Sequence, residues 1–282
     1  MNSQIVECEG MVLRSLRYGE TSRIVTLFTR AHGKVSAMAK GARETKSPFG
    51  SSLEPFCVAS YVFYHRTGRD LQFLKSGWTE REYSALWEDA ERFLHGAALL
   101  EFLDRILLEE EPVPEIYDLA QRALAVLTRA PRERLRELFR AFQLRAAAHL
   151  GYAPMLDRCL HCARGLPEGE AEMTEVWVFR ATEGGALCPN CASGGEGGVR
   201  IRPRALRRIR TMALGRGEGF GEADLVGDRG GASLVRDSAA PSPLWIAALE
   251  RIVEEYLHFH IERYHGLRSL RIRMDEMGAA TA

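Results

Sequence analysis

Alternation of apolar and polar positions dominates the first third of the chain. Val6 to Leu16, Ile24 to Thr29, Val35 to Ala39, Phe56 to His65 and Leu71 to Gly77 are short runs rich in β-branched and aromatic residues. Such runs predict strands whose side chains point alternately to two faces. Gly19, Gly33, the 47–52 loop SPFGSS and Gly68 fall between them, where turns are needed. Five short strands within residues 1–79 suit a small closed barrel better than a sandwich.

After Thr79 the period lengthens to that of a helix. Phe93, Ala97, Leu100, Leu103, Ile106 and Leu107 share one helical face, as do Leu119, Ala123, Val126 and Leu127. Pro131 is placed to begin a further helix with Leu135, Leu138, Phe139, Phe142 and Ala146 as its stripe, and Gly151 and Pro154 are placed to end it. Residues 159–198 read as a compact insert that closes in a flexible GGEGG. Helical spacing returns over Pro203–Leu214, and the Gly-rich 215–243 predicts a long mobile loop. A last helix is expected from Pro243 to Tyr264, with Leu244, Ala248, Ile252, Tyr256, Phe259 and Ile261 on or near its apolar side. The predicted class is therefore α+β and multidomain. A barrel occupies 1–79, a helical domain 80–158 and 199–282, and a metal module 159–198.

Net formal charge is zero, yet the charges are segregated. Phe28 to Gly50 carries five Lys or Arg and one acid, Glu80 to Asp118 carries twelve acids and three Arg, and Gly197 to Gly217 carries seven Arg and no acid. Lys34, Lys40, Arg43 and Lys46 fall at loops of the predicted barrel, where phosphates can be met without reading bases. A five-stranded nucleic-acid-binding barrel is thus one option for the fold. A solubilising charged loop is the plainer alternative for any single lysine. Tyr61, Phe63, Tyr64 and Phe73 offer stacking faces, though alternation turns only half of them outward. Arg202, Arg204, Arg207 and Arg208 form a second cationic set, the last three on neighbouring helical turns. Internal pairing with the acidic 80–118 helices is the competing explanation.

The cysteines give the sharpest local signal. Cys159-Leu-His-Cys162 and Cys188-Pro-Asn-Cys191 are two CxxC turns, each able to aim two thiolates at one tetrahedral zinc. The intervening 163–187 stretch of 25 residues is longer than the roughly 15–20 of common ribbons, an excess a loop can absorb. A redox pair would not require the second CxxC. Four thiolates fill the coordination sphere, so one structural Zn2+ per chain is expected, with no open position for chemistry. His161 is an alternative ligand or a solvated turn residue. Cys8 and Cys57 read as small core residues.

No Walker loop, strand-linked GxGxxG, HExxH or nucleophile elbow occurs, so no catalytic residue is assigned. No apolar run approaches a membrane span, and MNSQIVECEG lacks a signal-peptide apolar region. A cytoplasmic protein without a membrane partner is expected. Two rivals to a DNA-binding role are an architectural zinc-ribbon protein that binds no DNA and a metal-dependent nucleic-acid hydrolase.

Several stretches resemble the bacterial RecO family of recombination mediators. The resemblance rests on Tyr18 to Thr29 (YGETSRIVTLFT), Gly33-Lys34, Ala39-Lys40-Gly41-Ala42-Arg43, Ser47 and Leu53-Glu54-Pro55-Phe56. It continues through Gly151-Tyr152-Ala153-Pro154, Leu156-Asp157-Arg158-Cys159, Tyr256-Leu257 and His265-Gly266-Leu267-Arg268-Ser269. It implies a five-stranded OB-fold barrel, a central and C-terminal helical domain, and an embedded four-cysteine zinc module. It further implies binding of single- and double-stranded DNA and annealing of complementary strands. RecR would be a partner, with RecA loaded indirectly onto strands coated by single-strand binding protein, in a nucleoid-associated cytoplasmic setting. Two features bear on how far the pattern carries over. Glu44 stands where the family often has a base, and all four cysteines, which vary among members, are present.

Overall fold

The computed structural model describes residues 4–169, 174–193, 197–214 and 241–270. The expected flexible 194–198 stretch and the 215–243 loop lie mostly outside these residues. The chain divides into two compact units, one of residues 1–129 with 267–282 and one of residues 130–266.

The first unit is built on five strands: β1 (Gln4–Tyr18), β2 (Ser22–Thr29), β3 (Gly33–Ala39), β4 (Cys57–His65) and β5 (Gln72–Glu82). Their order is β1-β2-β3-β5-β4, and β4 pairs back onto β1 to give a closed barrel. Alternation decides which side chains fill it. Cys8, Val12, Val25, Leu27, Ala37, Tyr61, Phe63 and Leu74 point inward and are buried. Burial pushes the Cys8 and Cys57 thiols up to about 11, so both are protonated core groups at neutral pH. Gly33, at φ +66°, opens β3 beside the Glu111 backbone, a conformation and an approach that any Cβ would obstruct.

The outer surface has two fates. At one end, Met11, Phe28 and Val58 share outward positions on paired strands and are buried. Two helices belong to this unit: α1 (Ala90–Ile106), which packs on β1, and α2 (Pro114–Arg129). The Tyr117 ring of α2 meets the Phe28 ring edge-on at 5.3 Å, and Arg30 grips Asp118 with two hydrogen bonds of 3.0 Å. Asp89 caps α1 by accepting from the Arg92 amide.

The expected fold class, a five-stranded OB-fold barrel followed by a separate central and C-terminal helical domain with an embedded zinc module, is corrected on two points. The sheet is mixed: β3 and β5 run parallel through Ala37–Ala39 and Gln72–Leu74, while every other pairing is antiparallel. The long 40–56 connection carries the chain across before β4, which places β5 alongside β3 in the same direction. Secondly, α1 and α2 do not join the later helices but group with the strands. The apolar outer residues of one barrel end need cover, and these helices supply it.

The second unit packs α3 (Leu135–His149) against two further helices, the last of which also meets a small sheet of β6 (Trp177–Arg180), β7 (Gly185–Leu187) and β8 (Val199–Ile201), in order β7-β6-β8. A four-residue α4 (Pro189–Ala192) precedes β8, and α5 (Pro203–Leu214) follows it. Gly151, at φ +87°, terminates α3, and the Tyr152 amide returns to the Ala147 carbonyl at 2.8 Å. Helix α6 (Pro243–His260) presents Ile246, Leu249, Ile252, Val253, Tyr256 and Leu257 to the core. Its predicted stripe is corrected at both ends, since Leu244 and Phe259 are exposed.

Lys34 ties α1 to the barrel. Its buried ammonium donates to the Asp104 carbonyl at 2.8 Å and lies 3.8 Å from the Asp104 carboxylate and 3.4 Å from Glu109. Lys34→Met keeps the stem but leaves these acceptors without their cation, at a cost of about 1–3 kcal/mol. A lowered urea midpoint at unchanged slope is the expected reading; an unchanged midpoint would mean that water replaces the ammonium without loss.

Candidate metal centre and nucleic-acid interface

Cys159, Cys162, Cys188 and Cys191 converge within the second unit, with all four sulfurs inside 4.8 Å of one another. Two turns achieve this. After Cys159 the chain bends through Ala163 at φ +58°, its amide donating back to the Cys159 carbonyl at 2.9 Å. Cys188 leads into α4, where the Cys191 and Ala192 amides return to its carbonyl. The β6–β7 pair and a Met155–Gly185 bridge hold the two turns together, and Leu160 donates to the Ala186 carbonyl across them.

The donor set fits a thiolate-loving ion. Four sulfurs around one zinc at about 2.3 Å lie roughly 3.8 Å apart, and Cys162 and Cys188 are separated by 3.7 Å. The Cys188 amide donates to the Cys159 sulfur at 3.3 Å. Burial opposes ionisation of Cys159, but the amides of Cys188, Cys162 and His161 aim at its sulfur and bring it down to about 6. His161 is not part of the cluster. Its Nε2 lies 2.7 Å from Glu183, which also accepts from Arg180.

The predicted cations separate by environment. In the first unit Lys40, Arg43 and Lys46 are exposed, whereas Lys34 is directed inward as described above. Their loop is pinned to the β1–β2 turn: the Arg43 amide donates to the Thr21 carbonyl and its guanidinium to the Glu20 carbonyl, both at 2.8 Å. Glu44 sits in the same loop, close to Gly41. The Lys40 ammonium lies 5.2 Å from the centre of the Phe73 ring, and Arg69 stands over the same ring at 4.8 Å.

In the second unit Arg202 and Arg204 are exposed, and neither has an ion pair among the described residues. Arg207 donates to the Pro167 carbonyl at 2.5 Å, and Arg208 donates to Glu137 at 2.6 Å while covering the Trp245 ring. Glu137 is 1% exposed and also accepts from Arg134 and from Trp245 Nε1. Internal pairing thus takes two of the four predicted arginines, through partners other than the acids of 80–118.

Sequence reasoning missed Arg69, Gln72 and Glu137. Arg69 was signalled by its place beside the Gly68 turn, at the end of an aromatic run. The buried Gln72 accepts from the Arg66 amide and donates to the Arg66 and Arg69 carbonyls. No local pattern signals this contact or the Glu137 cluster.

Comparison with known proteins adds a lineage to this geometry. The model for the N-terminal part of recombination protein O matches residues 1–81, and that for its C-terminal part matches residues 87–224. The DNA repair protein RecO of Streptomyces coelicolor is 35% identical over 269 residues, covering 93% of this chain and 96% of that protein. That of Anaeromyxobacter dehalogenans (strain 2CP-C) is 40% identical over 189 residues, covering 67% and 71%. That of Salinibacter ruber is 42% identical over 177 residues, covering 63% and 68%.

The cysteines divide into two chemical classes. In native protein a thiol reagent should label Cys159, Cys162, Cys188 and Cys191 only after a chelator is added, and Cys8 and Cys57 only after denaturant. Peptide mapping that finds the four cysteines equally reactive with and without chelator would count against a metal at the cluster.

Proposed function

Because the chain belongs to the RecO family of DNA repair proteins, we propose that it works as a non-catalytic recombination mediator. It binds single- and double-stranded DNA and brings complementary strands together. The observation that carries this reading is the pinned 40–46 loop, which holds Lys40, Arg43 and Lys46 in solvent on a backbone anchored to the β1–β2 turn. Preset cations meet phosphates without first ordering a free loop, and each displaces condensed counterions from the strand. Arg202 and Arg204 provide a second, separate set of phosphate contacts on the other unit. Two sets suit annealing, whose main obstacle is the repulsion between two polyanions. RecR, single-strand binding protein and, through them, RecA are the proposed protein partners.

Cys159, Cys162, Cys188 and Cys191 would hold one Zn2+, which supplies a cross-link between the two CxxC turns and no reactive position. The turns in turn fix the β6–β7 sheet. Nothing in this role requires hydrolysis, and the relatives of this chain are named for repair and recombination. An architectural protein that binds no DNA is the second reading. It is favoured by the inward commitment of Lys34, Arg207 and Arg208.

Salt separates the two readings. Annealing of complementary oligonucleotides, without nucleotide or magnesium, should be accelerated at low salt and suppressed as salt rises. For single-strand binding, combined Lys40→Ala, Arg43→Ala and Lys46→Ala substitution should reduce the log–log salt slope by roughly 2, at about 0.7 per phosphate contact. A folded protein that neither binds nor anneals at low salt would overturn the mediator reading in favour of the architectural one.

A further inference from the structure

Where β5 ends and meets α2, the first unit holds a cleft of about 570 Å³. One wall runs from Arg81 to Ala85, at the end of β5 and into the turn after it. The other is a side of α2 carrying Asp118, Gln121, Arg122, Ala125 and Arg129. The one aromatic residue among those lining it, Tyr83, is only 5% exposed. Arg81 lies in the acid-rich 80–118 stretch and Arg122 just beyond it, so a count of charge along the chain conceals the pair.

The acceptors of this cleft are already committed. Arg30 takes both oxygens of Asp118 at 3.0 Å. That bond is the main reason the Asp118 carboxyl stays below the usual carboxylate range, and Arg122 is the smallest contributor to it. The Gln121 side chain accepts from Arg81 Nη1 at 2.8 Å and donates to Glu9 at 2.7 Å, and its backbone carbonyl accepts from the Tyr83 hydroxyl at 3.1 Å. Glu82 is turned to the Cys57 thiol, 3.9 Å away. Donors are left over. Arg122 Nε is buried with no hydrogen-bond partner, and its guanidinium has no ion pair among the described residues. Arg81 spends one of its five N–H groups on Gln121. A buried donor without an acceptor is costly and rare in a folded protein, and an anion entering the cleft would satisfy it.

The planar fork of arginine suits the oxygens of a phosphate or a carboxylate. The walls choose between them. Ala85 and Ala125 offer little apolar surface to grip the side chains of a peptide, and the buried Tyr83 ring offers no face to a base. A hydrophilic polyanion is what remains. We propose that the Arg81–Arg122 cleft is a phosphate-binding site for the DNA backbone, built from none of the residues of the 40–46 loop. The proposal rests on the DNA-binding reading above and adds a site to it. With no base face on offer, the cleft takes paired and unpaired strands alike and is blind to sequence.

The test is arginine modification by phenylglyoxal on the full-length wild-type protein, mapped by mass spectrometry. Four probes are compared: a mixed-sequence duplex, a single strand with as many phosphates, inorganic phosphate and an oligoglutamate peptide. Both DNAs should slow modification of Arg81 and Arg122, with protection fading as salt rises. Combined Arg81→Gln and Arg122→Gln substitution should lower the log–log salt slope of duplex binding by roughly 1–2, at about 0.9 per phosphate contact. The protection experiment uses wild-type protein alone and stands even if the variant folds poorly.

Salt-sensitive DNA binding that leaves Arg81 and Arg122 as reactive as in free protein would overturn the cleft site and leave the DNA-binding reading standing. Protection by oligoglutamate or inorganic phosphate but by neither DNA would overturn it too, in favour of an acidic peptide or a free anion. So would an unchanged salt slope in a folded variant. Absence of binding to either DNA at low salt would remove the DNA-binding reading itself, and the cleft site with it.

Discussion

Closure of the first unit depends on three residue pairs, Ala37 with Gln72, Met38 with Phe73 and Ala39 with Leu74. This is the shortest pairing around the barrel and the one parallel pairing in it. The consequences run in both directions through the sheet. Inward, it brings Ala37, Ala39 and Leu74 into the same core as Val25 and Phe63. Outward, it places Met38 beside Phe73 and so joins the apolar positions of β1 and β2 to those of β4 and β5. Because strand side chains alternate with period two, a slip of one residue here would turn Ala37 and Leu74 out of the barrel core. Gln72 guards the register, since its buried amide satisfies the backbone of the adjoining turn. Core, turn and register are thus one constraint seen from three sides.

Charge in this protein divides between holding the fold and facing solvent. Lys34 anchors α1 to the barrel, Arg30 anchors α2 through Asp118, and Arg208 serves a nearly inaccessible Glu137. Lys34 and Glu137 are buried, and removing a partner from either leaves an uncompensated charge, which makes Lys34 and Arg208 poor candidates for meeting a mobile ligand. Of the eight candidate DNA-contacting cations, Lys40, Arg43, Lys46, Arg202 and Arg204 are exposed. A neutral total therefore coexists with local positive surfaces, and the count of basic residues in a segment overstates how many are free to act.

The parts legible in the sequence were those set by local period. The strands, the stripe of α3, the Gly151 terminus and the two CxxC turns follow from spacing within a few residues. What was not legible depends on distant partners. Nothing near Lys34 announces that Asp104 and Glu109 will meet it some seventy residues later, and nothing near Arg208 announces Glu137. The α6 face was displaced because Leu244 and Phe259 are apolar yet lie off the buried side, an ambiguity that composition cannot resolve. Strand β5 runs past its expected end at Gly77 to Glu82, with the polar Thr79, Glu80 and Arg81 masking its continuation. Irregularities in the β4–β5 pairing further blur the alternation. The parallel pairing needed the register itself.

The central claim is that the phosphates of DNA meet the cations held on the pinned 40–46 loop of the barrel. Ultraviolet cross-linking of a thymine oligonucleotide to the intact protein, mapped by mass spectrometry, addresses it without altering the chain. The expected result is adducts on the peptides that carry Lys40, Arg43 and Lys46, diminishing as salt rises. Adducts confined to peptides outside residues 40–46, or insensitive to salt, would contradict it.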